Sequence, residues 1–86
     1  MSKQLYQQAT NKWGVDAQLT VAIEELSELI KEICKYKRGE LSGIAEEVAD
    51  VEIMCEQLRF IFDCDEDVEY WKNYKLKRLE KRLQNQ

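Results

Sequence analysis

Apolar residues fall along this chain at steps of three and four, the spacing that gathers side chains on one face of an α-helix. Leu19, Ala22, Ile23, Leu26, Leu29, Ile30 and Ile33 predict a long helix from about Ala17 to Lys37 with one broad apolar stripe. Ile44, Val48, Val51, Cys55, Leu58 and Phe62 predict another, starting at Ser42 or a neighbour and running to Phe62. A shorter helix from Lys3 to Lys12 carries Leu5, Tyr6 and Ala9 on one side. A last one, from about Glu66 to Leu83, is anchored by Val68, Trp71, Leu76, Leu79 and Leu83. Gly14 reads as the left-handed end of the first helix, Asp16 as the N-cap of the second, Gly39 as the second's C-cap and the hairpin turn. The acidic turn Asp63-Cys64-Asp65-Glu66 offers several N-caps for the fourth. The expected architecture is all-α: a single domain over residues 1–86, with a central antiparallel hairpin in a four-helix bundle.

Composition agrees with this reading. The 86 residues are 44% hydrophobic and 35% charged, with three glycines and no proline, so few helix breakers are present. A chain of this length builds only a thin core, which makes a homo-oligomer the expected state. No apolar run reaches the length of a membrane span and no signal-peptide pattern follows Met1, so a cytoplasmic protein without membrane contact is expected. Cys34, Cys55 and Cys64 read as reduced thiols, with Cys55 and Cys34 as small core residues.

Histidine is absent, which excludes imidazole bases, histidine-activated nucleophiles and ordinary zinc sites. Any metal site must use oxygen ligands, favouring Mg²⁺, Mn²⁺ or Ca²⁺. Net charge is −4, unevenly spread. From Glu69 to Gln86 six basic and two acidic residues give +4; the other seven basic and 15 acidic residues give −8. An acidic body with a basic final helix suits a ligand that carries both metal and phosphate, and equally a tail that pairs with its own body. The net charge and the lack of a recognisable binding motif argue against nucleic acid.

Two acidic clusters carry the candidate chemistry: Glu24-Glu25-Leu26-Ser27-Glu28 and Glu46-Glu47-Val48-Ala49-Asp50. On a helix, carboxylates three residues apart lie one turn apart on nearly the same face. Glu47 points into the middle of the third helix's apolar arc, between Ile44, Val51, Met54 and Leu58, and Asp50 lies at the arc's edge. Glu46, Glu52 and Glu56 point away. A glutamate in a core stripe is costly unless a cation or hydrogen bonds compensate it. Glu25 borders the second helix's stripe. Glu28 lies further round, in a face with Glu24, Lys31, Glu32 and Lys35 that ion pairs at helical spacing would solvate. A hairpin turning near Gly39 sets Glu28 opposite Asp50 and brings Glu25 and Glu47 to nearly the same level. Inward carboxylates on facing helices are how bundles build metal sites, and a metal-activated water is then the natural attacking group.

Glu25-x-x-Glu28, an interval of 18 residues, then Glu47-x-x-Asp50 resembles the ExxE…ExxD signature of the MazG-like all-α nucleoside triphosphate pyrophosphatases. The likeness extends over Gln18-Leu19, Glu28-Leu29-Ile30 and Ile44 to Val51, and covers about Trp13 to Leu58. It implies hydrolysis of a (deoxy)nucleoside triphosphate to the monophosphate and pyrophosphate. It implies Mg²⁺ (or Mn²⁺) held by Glu25, Glu28, Glu47 and Asp50, and a homodimer or homotetramer whose sites are shaped partly by the partner subunit. Glu24 would join Glu25 as a catalytic acid, orienting the water or holding a further metal. Lys75 and Arg78, with Arg82 behind them, are candidates for the phosphates; the same residues also fit a solvated basic face. Trp13 fits either a base-stacking role or a core or interface aromatic. The alternative to an enzyme is a non-catalytic helical interaction protein that retains the fold.

Overall fold

In the computed structural model, which describes residues 2–85, the chain forms four helices and, among the described residues, no strand. They are α1 Ser2–Trp13, α2 Val15–Lys37, α3 Ile44–Phe62 and α4 Asp65–Gln84. The all-α expectation holds. Among the described residues no helix is long and apolar enough to cross a membrane.

The breaks fall where backbone chemistry demands them. Gly14 takes φ 89°, a conformation that only glycine adopts without strain. Its N–H closes α1 on the Thr10 carbonyl at 2.8 Å, and α2 starts at the next residue. Asp16 therefore lies within the first turn of α2 rather than at its N-cap, where its charge still favours the helix dipole. Gly39, at φ 80°, ends α2: its N–H reaches the Tyr36 carbonyl and the Glu40 N–H reaches Lys35, both at 3.0 Å. That pair of bonds is the Schellman closure expected at a helix C-terminus. The N-cap of α3 is Gly43, the neighbour of Ser42. Asp63, at φ 48°, closes α3, and Cys64 precedes α4 with no side-chain cap.

The antiparallel α2–α3 hairpin is the main packing unit; α1 leans on both of its helices, and α4 touches α3 alone. Arg59 fastens the start of α4 to α3 through Glu69 at 2.8 Å and Asp65 at 3.4 Å. Beyond that clamp α4 runs free, and Leu76, Leu79 and Leu83 are exposed. The radius of gyration is 16.0 Å, against about 12 Å for a compact chain of this length.

The core differs from the apolar pattern. Ala22 is the only buried apolar residue among those described; Gln18, Gln57 and Glu32 are buried with it. The face of α2 turned toward α3 is Gln18, Ala22, Glu25, Leu29 and Glu32, while Ile23, Leu26, Ile30 and Ile33 look outward. Cys34 and Cys55 are exposed, correcting their assignment to the core. Cys34 shares the outward side of α2, and Cys55 faces the clefts beside α1 and α4. Leu5 is exposed as well, leaving Tyr6, Ala9 and Thr10 half-buried on α1.

Polar contacts set the register of the hairpin. Gln57 donates its amide N–H to the Gln18 side-chain oxygen, both residues buried, and the Gly43 N–H donates to Glu32 Oε1 at 2.7 Å. Glu25 lies against Asp50. The pairs 18–57, 25–50 and 32–43 are each symmetric about the Lys37–Arg38 peptide and step by seven residues along both helices. Such steps return to the same seam of two packed helices. Gln57→Leu strands the Gln18 amide in a buried position and should cost about 1–3 kcal/mol in urea unfolding; replacing both by Leu should recover most of it.

Candidate carboxylate site

This register decides which acids meet. Because Gly43 is level with Glu32, α2 overshoots the start of α3 by its last five residues, and the connector folds back over that overhang. The hairpin is therefore centred before Gly39, and the expected facing pair Glu28–Asp50 does not form. Glu25 meets Asp50 instead. Glu25, Glu47 and Asp50 are half-buried and present carboxylate oxygens that all lie within 4.8 Å of one another. Glu28 is exposed and outside this trio, though its charge bears on both Glu25 and Glu47. Glu24 is exposed, pointing away.

Electrostatics single out the same residues. Burial, then the Asp50 charge, pushes the Glu47 carboxyl above its ordinary value, with Glu28, Glu46 and Glu32 adding to the effect. Glu25 is raised by burial first and then by the neighbouring Asp50, with Glu47 and Glu28 adding to the effect. Glu47 Oε2 is buried and accepts no hydrogen bond. Buried acceptors are nearly always satisfied, so an anionic oxygen without a donor beside two further carboxylates lacks a positive partner. Three hard oxygen donors with one orphaned lone-pair site fit a hard divalent cation. A proton on the trio relieves the same repulsion more weakly.

Glu32 plays a part that sequence reasoning missed. It was expected on a solvated face with Lys35, and it does pair with Lys35 Nζ at 3.5 Å. It is nonetheless buried, and its other oxygen caps the N-terminus of α3. The Gly43 N–H holds its carboxyl below the ordinary range. Gln18 and Gln57 were missed as well. The signal for all of them was present: Gln18, Glu25 and Glu32 repeat at seven residues, as do Gly43, Asp50 and Gln57.

The remaining candidates stand elsewhere in the chain. Lys75 and Arg78 are exposed on α4, as is Arg82, and α4 has no contact with α2. Among the described residues none of the three forms an ion pair, so within one chain they stay apart from the trio. Trp13 is exposed at the end of α1 with Lys12 Nζ 5.3 Å from its ring centre. It sits twelve residues before Glu25, about 18 Å along the axis if the helices were continuous. Two clefts of about 440 Å³ lie beside α3 and α4, one reaching α1, and neither is lined by the trio. No protein-family model, curated protein or solved structure matches the chain.

Proposed function

We propose that the chain is a Mg²⁺-dependent nucleotide pyrophosphohydrolase of the MazG-like kind, acting as a homo-oligomer on a (deoxy)nucleoside triphosphate. The observation that carries the reading is the convergence of Glu25, Glu47 and Asp50, with one Glu47 oxygen buried and unpartnered. Glu25, Glu47 and Asp50 would hold the metal, with Glu28 one turn from Glu25 completing the set. Mg²⁺ bound there supplies charge for the phosphate oxygens and acidifies a coordinated water. Glu25 would orient the water that attacks the α-phosphate and breaks its bond to the β-phosphate, while Glu24, exposed and turned from the trio, would assist only after a change of its side-chain orientation. Lys75 and Arg78, displaced from the trio of their own chain, would meet phosphate only from another chain or after α4 moves.

The test is incubation with each common and damaged nucleoside triphosphate in the presence of Mg²⁺. Nucleoside monophosphate and pyrophosphate should appear in equal amounts. Orthophosphate release would contradict the bond assigned, and no turnover of any nucleotide would sink the enzyme reading. The second reading, a non-catalytic helical interaction protein, draws support from the exposed apolar faces of α2 and α4. It requires that Mg²⁺ leave the protein's stability unchanged.

A further inference from the structure

The outward face of α2 is itself a helix-packing seam. Leu19, Ile23, Leu26, Ile30 and Ile33 follow one another at steps of four, three, four and three, the a/d repeat of a two-helix coiled coil. Their centre lies about 100° round the helix from the face that packs on α3. Ile23 and Ile30, on the middle of the stripe, are 65% and 63% exposed, and Leu26 and Ile33 are 43% exposed. Thr20, Ser27 and Cys34 border the stripe at seven-residue steps, small and uncharged. The hydroxyls of Thr20 and Ser27 are turned back onto the Asp16 and Ile23 carbonyls, which leaves the border without an outward donor. Charge returns on this arc only at its ends, with Asp16 at the first turn and Lys37 at the last.

The stripe is nearly symmetric about Leu26: Leu19 and Ile33 lie seven residues to either side, Ile23 three before and Ile30 four after. A two-fold axis through Leu26 sets Leu26 on its own copy, Ile23 beside the partner's Ile30, and Leu19 beside the partner's Ile33. The same operation brings Asp16, ten residues before Leu26, near the partner's Lys37, eleven residues after it. Among the described residues neither Asp16 nor Lys37 has an ion-pair partner within the chain. Parallel pairing would stack Asp16 on Asp16 and Lys37 on Lys37, so charge selects the antiparallel arrangement. An isologous contact of this kind closes on itself as a dimer.

We infer that α2 pairs with α2 of a second copy of this chain, antiparallel, through Leu19, Ile23, Leu26, Ile30 and Ile33. The seam is independent of the enzyme reading: Glu25 and Glu28 lie off it, and each copy keeps its own carboxylate trio. Sedimentation of the full chain should give twice the 10.2 kDa of one chain. Ile23→Glu combined with Ile30→Glu should weaken association at least about 100-fold, since it buries two like charges of each copy in the contact. Because loss of the partner can unfold so thin a core, a second measurement uses chains with Cys34, Cys55 and Cys64 replaced by serine. Asp16→Cys chains mixed with Lys37→Cys chains should form a disulfide-linked mixed dimer, with little linking of either to itself. A parent chain that sediments as a monomer overturns the inference. So does a dimer indifferent to the Ile23 and Ile30 replacements, or Asp16→Cys chains that link preferentially to one another.

Discussion

Glu47→Gln is expected to lower Mg²⁺-dependent release of pyrophosphate by more than about 100-fold. Replacing a residue that merely supports a metal ligand costs 10–100-fold, and Glu47 stands in the ligand set itself. The amide preserves size and helix propensity but removes the charge that the orphaned Oε2 presents to a cation. Asp50→Asn should behave alike, because Asp50 is the charge that both Glu25 and Glu47 feel most after burial. Glu56→Gln, on the exposed side of α3, serves as the control and should leave the rate unchanged. Equal rates in all these variants would remove the carboxylate trio from the reaction. Without metal, Glu47→Gln should raise the melting temperature, because a repelling charge has been taken from a half-buried site. A variant that loses activity while gaining metal-free stability cannot have lost that activity through misfolding.

The second large effect is on stability, through pH and metal together. Glu25 and Glu47 bind their protons more tightly in the folded chain than at the ordinary value of 4.5. Between 4.5 and their raised folded values the folded state holds more protons than the unfolded one, so stability falls as pH rises through that window. Glu32 acts in the opposite sense. Its carboxyl is lowered by the Gly43 N–H, so its stabilisation is present above 4.5 and is lost as pH falls through its folded value. The metal-free protein should therefore melt highest in mildly acidic solution, lower at neutral pH, and lower again in strong acid. Mg²⁺ at pH 7 substitutes for the missing proton. At 100 times its Kd it should add about 2.7 kcal/mol, on the order of 10 °C or more for a domain of this size. Thermal melts across pH, with and without Mg²⁺, read both effects. A flat neutral limb, or a melting temperature indifferent to Mg²⁺, would contradict the cation site. Glu47→Gln should make the neutral limb shallower, with Glu25 still contributing, and leave the acid limb, which belongs to Glu32.

Helix content was legible in the chain because periodicity and the glycines at 14 and 39 are local signals. The register of α2 against α3 was not, since it depends on how far one helix overruns the other. Placing the turn at Gly39 matched Glu28 to Asp50. The Glu32–Gly43 bond shifts that match by a turn and delivers Glu25 instead. Glu47 was legible as the anomalous residue because a carboxylate in an apolar arc conflicts with its neighbours whatever the register. Glu32 was not, because at helical spacing from Lys35 it has the form of ordinary helix surface. The α2 stripe was recognised as a face to be buried, but periodicity does not name what covers it. Ile23 and Ile30 look away from α3, which packs on the more polar side.

The ladder 18–57, 25–50, 32–43 restricts how this hairpin can change in length. One residue added within α2 between Gln18 and Glu32 rotates everything beyond it by about 100°. Either the glutamine pair or the Glu32 cap then leaves the seam. Adding seven residues to each helix restores both, whereas added residues at Leu41 and Ser42, where the connector is exposed, disturb neither. Lineages descended from such a chain should therefore vary freely at that bend and change their helices by whole heptads, so that helix length becomes a discrete inheritance.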